Sequence, residues 1–501
     1  MNETTITMAN TAFSPVERHF LHRSGVGETT TRIPYVPVEN FPELGMFTAL
    51  RFLEWVSDNP EGVVSLPTGK TPEHFIRWTQ FLLEHWDDDR GRAIRDDYGL
   101  RVVGKPDLSG LHFVQIDEFY PIRSTQANSF HHYVTEFYIQ GFGLDPARAL
   151  LINCDEIPLI DGKHFSEVFP DSTVDLSLRY RAARTSKERE QQASIFMIDD
   201  WCVEYEQKIR ALGGIGFFLG GIGPDGHIAF NTRGSDHFST TRLTETNFET
   251  QAQAAGDLGG IEVSKNRLVI TIGLDTITYD RDAVAIVFAA GEAKAGVVRD
   301  ALEEEKSVLY PATALQRLPN SRFYITRSAG AKLRDSLETY YRSGPWTHEK
   351  TERAVIDLCR RIGKYGPNLT LADLRSDPWC RLIPDLSLDT VREVRDSIGA
   401  KVRRGLRPER DQVFYHTGPH HDDIQLGLQP HINRTLRGEG NRSLFSVLTS
   451  GFTAVTNDFI TSTLVSPGGS STRAASRWWS TPTSSSRVTG TSGTRTSTTS
   501  S

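Results

Sequence analysis

Residues 215–231, IGFFLGGIGPDGHIAFN, restrict the fold more than any other part of the chain. The apolar run 215–219 is bounded by glycines, as a short and fully buried strand would be. Directly behind it Gly220, Gly221, Gly223 and Gly226 enclose Asp225 and His227. Open α/β sheets bind their ligands beyond the carboxyl ends of the strands, so a strand running into such a turn marks where chemistry belongs. Glycine admits the positive φ and the close main-chain approach that the turn needs. Asp225 can orient His227, and an imidazole ordinarily titrates near neutral pH.

The surrounding sequence supplies the rest of such a sheet. Leu44, Phe47, Leu50, Leu53 and Val56 recur at helical spacing over 43–56. Val63-Val64-Ser65-Leu66 predicts a strand, followed by the turn Pro67-Thr68-Gly69-Lys70-Thr71-Pro72 and a helix to about residue 85. Strand, glycine turn and helix together make an anion site, with amides and a helix N-terminus facing a phosphate. Gly69-Lys70-Thr71 looks like the end of a nucleotide P-loop, but Val64 stands where that motif needs glycine.

Residues 113–116 predict the next strand, which ends in Asp117-Glu118-Phe119-Tyr120. Two carboxylates at a strand end suit acid–base work, although Asp117 taken alone better suits a cap of the following turn. A helix at 129–140, a strand at 149–153, a charged irregular stretch over 160–190 and an amphipathic helix at 195–212 follow. Strands at 268–272, 284–289 and 323–326 then alternate with helical segments at 292–304 and 329–342. That alternation predicts an α/β fold built on one doubly wound, mostly parallel, Rossmann-like sheet. Gly221, Gly223 and Gly226 match G-x-G-x-x-G, yet no helical period follows His227, which argues against a dinucleotide site.

A chain of 501 residues is too long for one ordinary core, so more than one domain is expected. Residues 1–40 read as a loosely ordered arm, 41–343 as the α/β domain and 344–410 as a helical connector interrupted by Gly366-Pro367, Pro378 and Pro384. The net charge of −7 argues against nucleic acid or an acidic membrane as partner. Cys154, Cys202, Cys359 and Cys380 are far apart with no Cys-x-x-Cys pair, as expected of free thiols in a reducing compartment. The first residues lack a charged segment followed by an apolar one, and no apolar run reaches membrane length, so a soluble cytoplasmic protein is expected.

Taken together, LPTGKTP (66–72), IDEFY (116–120) with Asn128-Ser129-Phe130, GGIGPDGHIAFN (220–231), Thr241-Arg242 and Gly291-Glu292-Ala293-Lys294-Ala295 resemble the glucosamine-6-phosphate deaminase family. The matches fall in the family's order over residues 45–335. The resemblance implies an aldose–ketose isomerisation coupled to loss of ammonia, without metal or cofactor, on a small-molecule sugar phosphate. It implies that His227, oriented by Asp225, opens the sugar ring, and that Asp117 moves the proton between carbons 2 and 1. Thr68, Gly69, Lys70 and Thr71 with Lys294 would hold the phosphate. Members of the family form symmetric oligomers, which admits a homo-oligomer here. Three positions depart from the family: Lys70 replaces a second glycine, Thr232 a glutamate of the histidine relay, and Gly256 an arginine expected on the phosphate. A lactonase or isomerase on the same fold, or a non-catalytic sugar-phosphate sensor, are the alternative readings.

Downstream, Val413-Phe414-Tyr415 leads to Thr417-Gly418-Pro419-His420-His421-Asp422-Asp423. A strand ending in His-x-Asp-Asp resembles the first motif of the zinc-dependent deacetylases of the PIG-L/LmbE type. It implies His420 and Asp423 as zinc ligands and Asp422 as base. A catalytic zinc needs a third protein ligand, and no histidine follows His431. Residues 411–460 therefore read as a truncated deacetylase-like segment, with zinc expected only if that segment were complete. From 461 to 501 the composition turns to Ser, Thr and Gly with scattered arginine, which cannot bury a core. A disordered tail or a shifted reading frame would give that composition.

Overall fold

The structure, a computed structural model, describes residues 13–26, 30–171, 173–252, 267–419 and 423–447. The chain divides into units Met1–Ala454 and Val455–Ser501. The second unit, and with it the tail expected over 461–501, lies outside the described residues.

Seven strands form one parallel sheet: β1 (Tyr35–Val38), β2 (Val63–Ser65), β3 (His112–Val114), β5 (Ala149–Leu150), β6 (Phe217–Gly221), β9 (Val284–Ala289) and β10 (Ser321–Thr326). Their spatial order is β1-β10-β9-β6-β2-β3-β5, with every pairing parallel. The chain winds outward from β2 through β3 to β5, returns to the centre as β6, then winds the other way through β9 and β10. The direction reverses between β2 and β6. In a doubly wound sheet that reversal opens a crevice at the strands' carboxyl ends.

Both faces of the sheet are covered, which explains continuous apolar runs where a half-exposed strand would alternate. Phe217 and Leu219 of β6 join one core with Val284, Ile286 and Phe288 of β9. Phe218 joins the other with Ala285, Val287 and Ala289. The first core is closed by helices α1 (Pro15–Ser24), α2 (Phe41–Asp58) and α3 (Glu73–Glu84). The second is closed largely by the long helix Ser186–Ala211.

The expectation of a loosely ordered arm over 1–40 is corrected for its described part. Ser14 caps α1 with Glu17 reciprocating, Pro15 opens the helix, and Gly25 ends it at φ 68°. Val16 and Phe20 enter the core, and β1 pairs with β10 as an edge of the sheet. The arm lacked helical periodicity because its order comes from caps and from pairing with β10, some 290 residues away, instead of from an amphipathic stripe.

A second correction concerns residues 268–272, expected in the parallel sheet. As β8 (Leu268–Thr271) they pair antiparallel with β4 (Asp117–Tyr120) and β7 (Arg242–Thr244) in a separate three-stranded sheet. Short apolar runs fit either kind of sheet, and partner geometry decides between them. The chain of β3 thus ends at Val114, and Asp117 opens a new strand.

Residues 344–410 form helices His348–Ile362, Leu371–Ser376 and Leu388–Gly405, whose core of Val355, Leu358, Leu374, Cys380 and Val394 also takes in Tyr341 of the preceding helix. Beyond them β11 (Val413–Gly418), the helix Asp423–Leu436 and β12 (Arg442–Val447) make a two-stranded parallel sheet. Among the described residues no helix is long and apolar enough to cross a membrane.

Candidate active site

The loops after β2, β6 and β9 all leave the carboxyl edge of the parallel sheet, and β2 and β6 are the strands flanking its reversal. The loop after β6 folds on itself: Gly223 N–H donates to His227 O at 2.9 Å and Gly226 N–H to Gly223 O at 3.1 Å. Gly223 has no room for a side chain, because a Cβ there would lie 2.1–2.4 Å from the His227 imidazole. Gly226 takes φ +89°.

The imidazole's Nδ1 lies 2.5 Å from Asp225 Oδ1. Burial alone would push the Asp225 carboxyl up, but the His227 bond and charge, with a further bond from Asn247, hold it down at about 2. A carboxylate on Nδ1 favours a proton there, which turns Nε2 to the crevice as the nitrogen able to exchange a proton. Past the histidine, Ala229 adopts φ +51°. A non-glycine residue there costs about 1 kcal/mol, and specific bonds hold the turn against it. Asn231 Nδ2 donates to Ile228 O and Ile272 O, and Phe230 N–H donates to Thr271 Oγ1.

Thr271 also connects the turn to Asp117. It pairs with Asp117 on one side and with Arg242 on the other. Directly opposed residues of adjacent strands point to one face, so Asp117, Thr271 and Arg242 share a row. Asp117 is 7% exposed; burial first, and the neighbouring Glu118 charge second, hold its carboxyl well above the ordinary range.

Glu118, the other half of the pair expected to do acid–base work, is committed elsewhere. Its carboxylate accepts from Ser129 Oγ and from the amides of Phe119, Phe130 and His131, and so caps the helix Phe130–Val134. Burial pushes it up to about 7 against the pull of those donors. The same helical segment reaches the loop after β2, where Tyr133 Oη donates to Gly69 O at 2.9 Å and Tyr138 Oη to Pro67 O.

In that loop Thr68 is half-buried while Gly69, Lys70 and Thr71 are exposed, and Gly69 takes φ +87°. No side chain caps the N-terminus of α3, and its first amide, Glu73 N–H, donates to Lys70 O at 3.4 Å within the loop. Lys294, in the turn after β9, is half-buried and donates from Nζ to Ile222 O at 2.7 Å. Burial lowers its pKa and the Asp225 charge opposes that shift; the bond to Ile222 O places the ammonium at the start of the loop that carries Asp225 and His227.

Thr232 is half-buried, and its N–H donates to Phe230 O. Gly256, His420 and Asp422 lie outside the described residues. Asp423 opens the helix after β11. The donor set read for zinc thus has one described member, and among the described residues no three His, Cys, Asp or Glu side chains are grouped to hold a metal.

Two groups escaped the sequence reading. Glu206 of the long helix accepts from Thr241 N and Oγ1 and from Thr276 Oγ1, anchoring the start of β7. Asn247 donates from Nδ2 to Asp225 Oδ2 at 2.5 Å, and Thr250 Oγ1 lies 3.4 Å from His227 Nδ1. The only sequence signal at Asn247 is that of a helix cap, a residue type common before any helix.

No family model matches the chain. A stretch of 149 residues, 30% of the chain, is 32% identical to glucosamine-6-phosphate deaminase 1 of Mesocricetus auratus, covering 51% of that protein. Over 149 residues the chain is 33% identical to glucosamine-6-phosphate deaminase 2 of Mus musculus, covering 53% of it. The chain thus spans about half the length of the curated relatives it matches. Among solved structures, a monomeric glucosamine-6-phosphate deaminase aligns with 60% of this chain and 99% of its own at 23% identity and a TM-score of 0.44. A 6-phosphogluconolactonase from Leishmania guyanensis aligns at 16% identity and a TM-score of 0.37, over 60% of this chain and 98% of its own.

Proposed function

We propose that the α/β domain binds an amino-sugar phosphate and converts glucosamine 6-phosphate to fructose 6-phosphate with release of ammonia. The observation that carries this reading is the Asp225–His227 pair, held in a glycine turn at the sheet's reversal and tied through Thr271 to the row of buried Asp117. The similarity to deaminases over 149 residues supports the choice of substrate class.

In this proposal the amides from Thr68 to Thr71 and the Lys294 ammonium hold the phosphate, amide and cation both being suited to its oxygens. His227 Nε2 exchanges a proton with the sugar's ring oxygen and opens the ring. The Asp117 carboxylate takes the proton from carbon 2 and returns it to carbon 1. Water then adds at carbon 2 and ammonia leaves. A buried carboxyl with a raised pKa is suited to a carbon acid, since its proton affinity is nearer that of the group it deprotonates.

Ammonia and fructose 6-phosphate are measured with glucosamine 6-phosphate as substrate, beside Asp117→Asn. Turnover that Asp117→Asn loses supports the reading; no turnover above that variant overturns it. A second reading, a sensor that binds without turnover, is favoured by Thr232 in place of a carboxylate. It predicts a ligand-induced rise in melting temperature with no ammonia formed. For residues 411–460 we propose the start of a deacetylase-like α/β unit with no activity of its own.

A further inference from the structure

The Asp225 carboxylate has two oxygens and two partners. Oδ1 faces His227 Nδ1, and Oδ2 accepts from Asn247 Nδ2, both at 2.5 Å. The Asn247 amide cannot be turned the other way. Its Oδ1 accepts from the Thr250 N–H at 3.0 Å, and a backbone N–H can only donate. The end facing Asp225 is therefore the NH2 group. Thr250, fixed by that cap, brings its hydroxyl to 3.4 Å from the imidazole nitrogen. Asp225 lies in the glycine turn after β6, whereas Asn247 follows β7 on the opening turn of helical residues 248–252.

We infer that Asn247 is the positioning residue of the Asp225–His227 pair: it occupies Oδ2 so that Oδ1 stays on Nδ1 and the imidazole keeps its proton there. Without it the carboxylate can rotate about its Cβ–Cγ bond and share either oxygen with solvent. The ring would then lose the single tautomer that leaves Nε2 basic. The role adds to the proposed function and rests on reading His227 as the proton-exchanging group.

The cap and the donor can be separated by substitution. Asn247→Asp still accepts from the Thr250 N–H but cannot donate to Asp225, and it sets a second carboxylate beside the first. Asn247→Thr keeps both a hydroxyl acceptor for the cap and a donor for Asp225. Two readouts are taken on the full-length protein. One is steady-state kinetics on glucosamine 6-phosphate. The other is the imidazole 15N spectrum of His227, assigned by difference with His227→Gln, which reports the tautomer without substrate.

The expected result for Asn247→Asp is a kcat about 10- to 100-fold lower at near-constant KM, within the range a positioned proton-transfer group contributes. The Nδ1–H tautomer signature should be lost as well, with Asn247→Thr restoring most of both. Asn247→Asp that keeps the wild-type tautomer overturns the inference and leaves Asn247 a helix cap only. If the wild type shows no turnover, the deaminase reading fails while the spectrum still decides the role of Asn247. Circular dichroism melting of each variant separates a lost fold from a lost tautomer.

Discussion

Two parallel strands of this chain precede sequence that carries histidine and aspartate: β6, before Asp225 and His227, and β11, before residues 420–423. Their settings differ in what surrounds them. β6 lies between β9 and β2, with Phe217 fully buried against Phe52 and Trp55 on one face of the sheet and Phe218 buried on the other. β11 has β12 as its partner strand, and Val413 and Tyr415 are 64% and 65% exposed. A catalytic turn needs its atoms held to within a fraction of an ångström, and that precision comes from the packed elements beneath it. The β6 turn has this support from Thr271, Asn231, Asn247 and Lys294. A sequence motif names the residues of a site; the neighbouring strands decide whether those residues can work together.

The most direct way to break this comparison is to remove one ring from each strand. Phe217→Ala should cost about 3–5 kcal/mol, the range for deleting a buried aromatic ring. Tyr415→Ala should change stability by less than about 0.5 kcal/mol, as exposed substitutions do. Urea unfolding followed by tryptophan fluorescence measures both. Equal losses would mean that β11 is as well supported as β6.

Gly223→Ala tests the precision of the β6 turn without touching an ionisable group. The added Cβ would fall 2.1–2.4 Å from the His227 ring, so the ring or the turn must move. Turnover of glucosamine 6-phosphate should fall about 100-fold or more, the scale on which misplaced proton-transfer groups act. Unchanged turnover would show that the ring does not need its observed seat.

How much of this was legible in the sequence follows from what each residue depends on. The glycine-rich run after β6 and the buried strands β6 and β9 depend on local pattern, and local pattern predicts them. The separate sheet of β4, β7 and β8 depends on pairing across some 150 residues, which a run such as Leu268–Thr271 cannot express. The edge strand β1 was missed for the same reason. Glu118 and Asn247 show the limit at the site itself. Glu118, one of two carboxylates suited to acid–base work, caps a helix; Asn247, in no motif, accepts from the Thr250 amide and also holds Asp225.

A smaller effect should appear in the pH dependence of stability. Asp117 is held well above the ordinary carboxylate range by burial and by Glu118, and burial pushes Glu118 up to about 7. A carboxyl with a higher pKa folded than unfolded binds more protons in the folded state. Its stabilisation is complete below the unfolded value and is lost as pH rises through the folded one. Asp225, held down at about 2, has the opposite sign: its contribution is present above the unfolded value and lost only as pH falls toward 2. The melting temperature should therefore decline as pH rises from the ordinary carboxylate range toward 7. Asp117→Asn should make that decline shallower. An identical slope in both proteins would show that Asp117 titrates like an exposed carboxyl.

The least effect is expected from Thr232→Glu, which asks whether the β6 turn lacks anything for turnover. Thr232 is half-buried one residue beyond Asn231, whose amide is fixed on Ile228 O and Ile272 O, so the backbone that would carry the new carboxylate is already held. If the histidine relay is incomplete without an acid there, kcat for ammonia release should rise, by up to about tenfold, with little change in KM. If Asn247 already supplies the restraint that the relay needs, kcat should stay within about twofold. In that case a glutamate at 232 and an asparagine at 247 are alternative ways of holding one imidazole, and the double variant Thr232→Glu, Asn247→Asp should recover part of what Asn247→Asp alone loses.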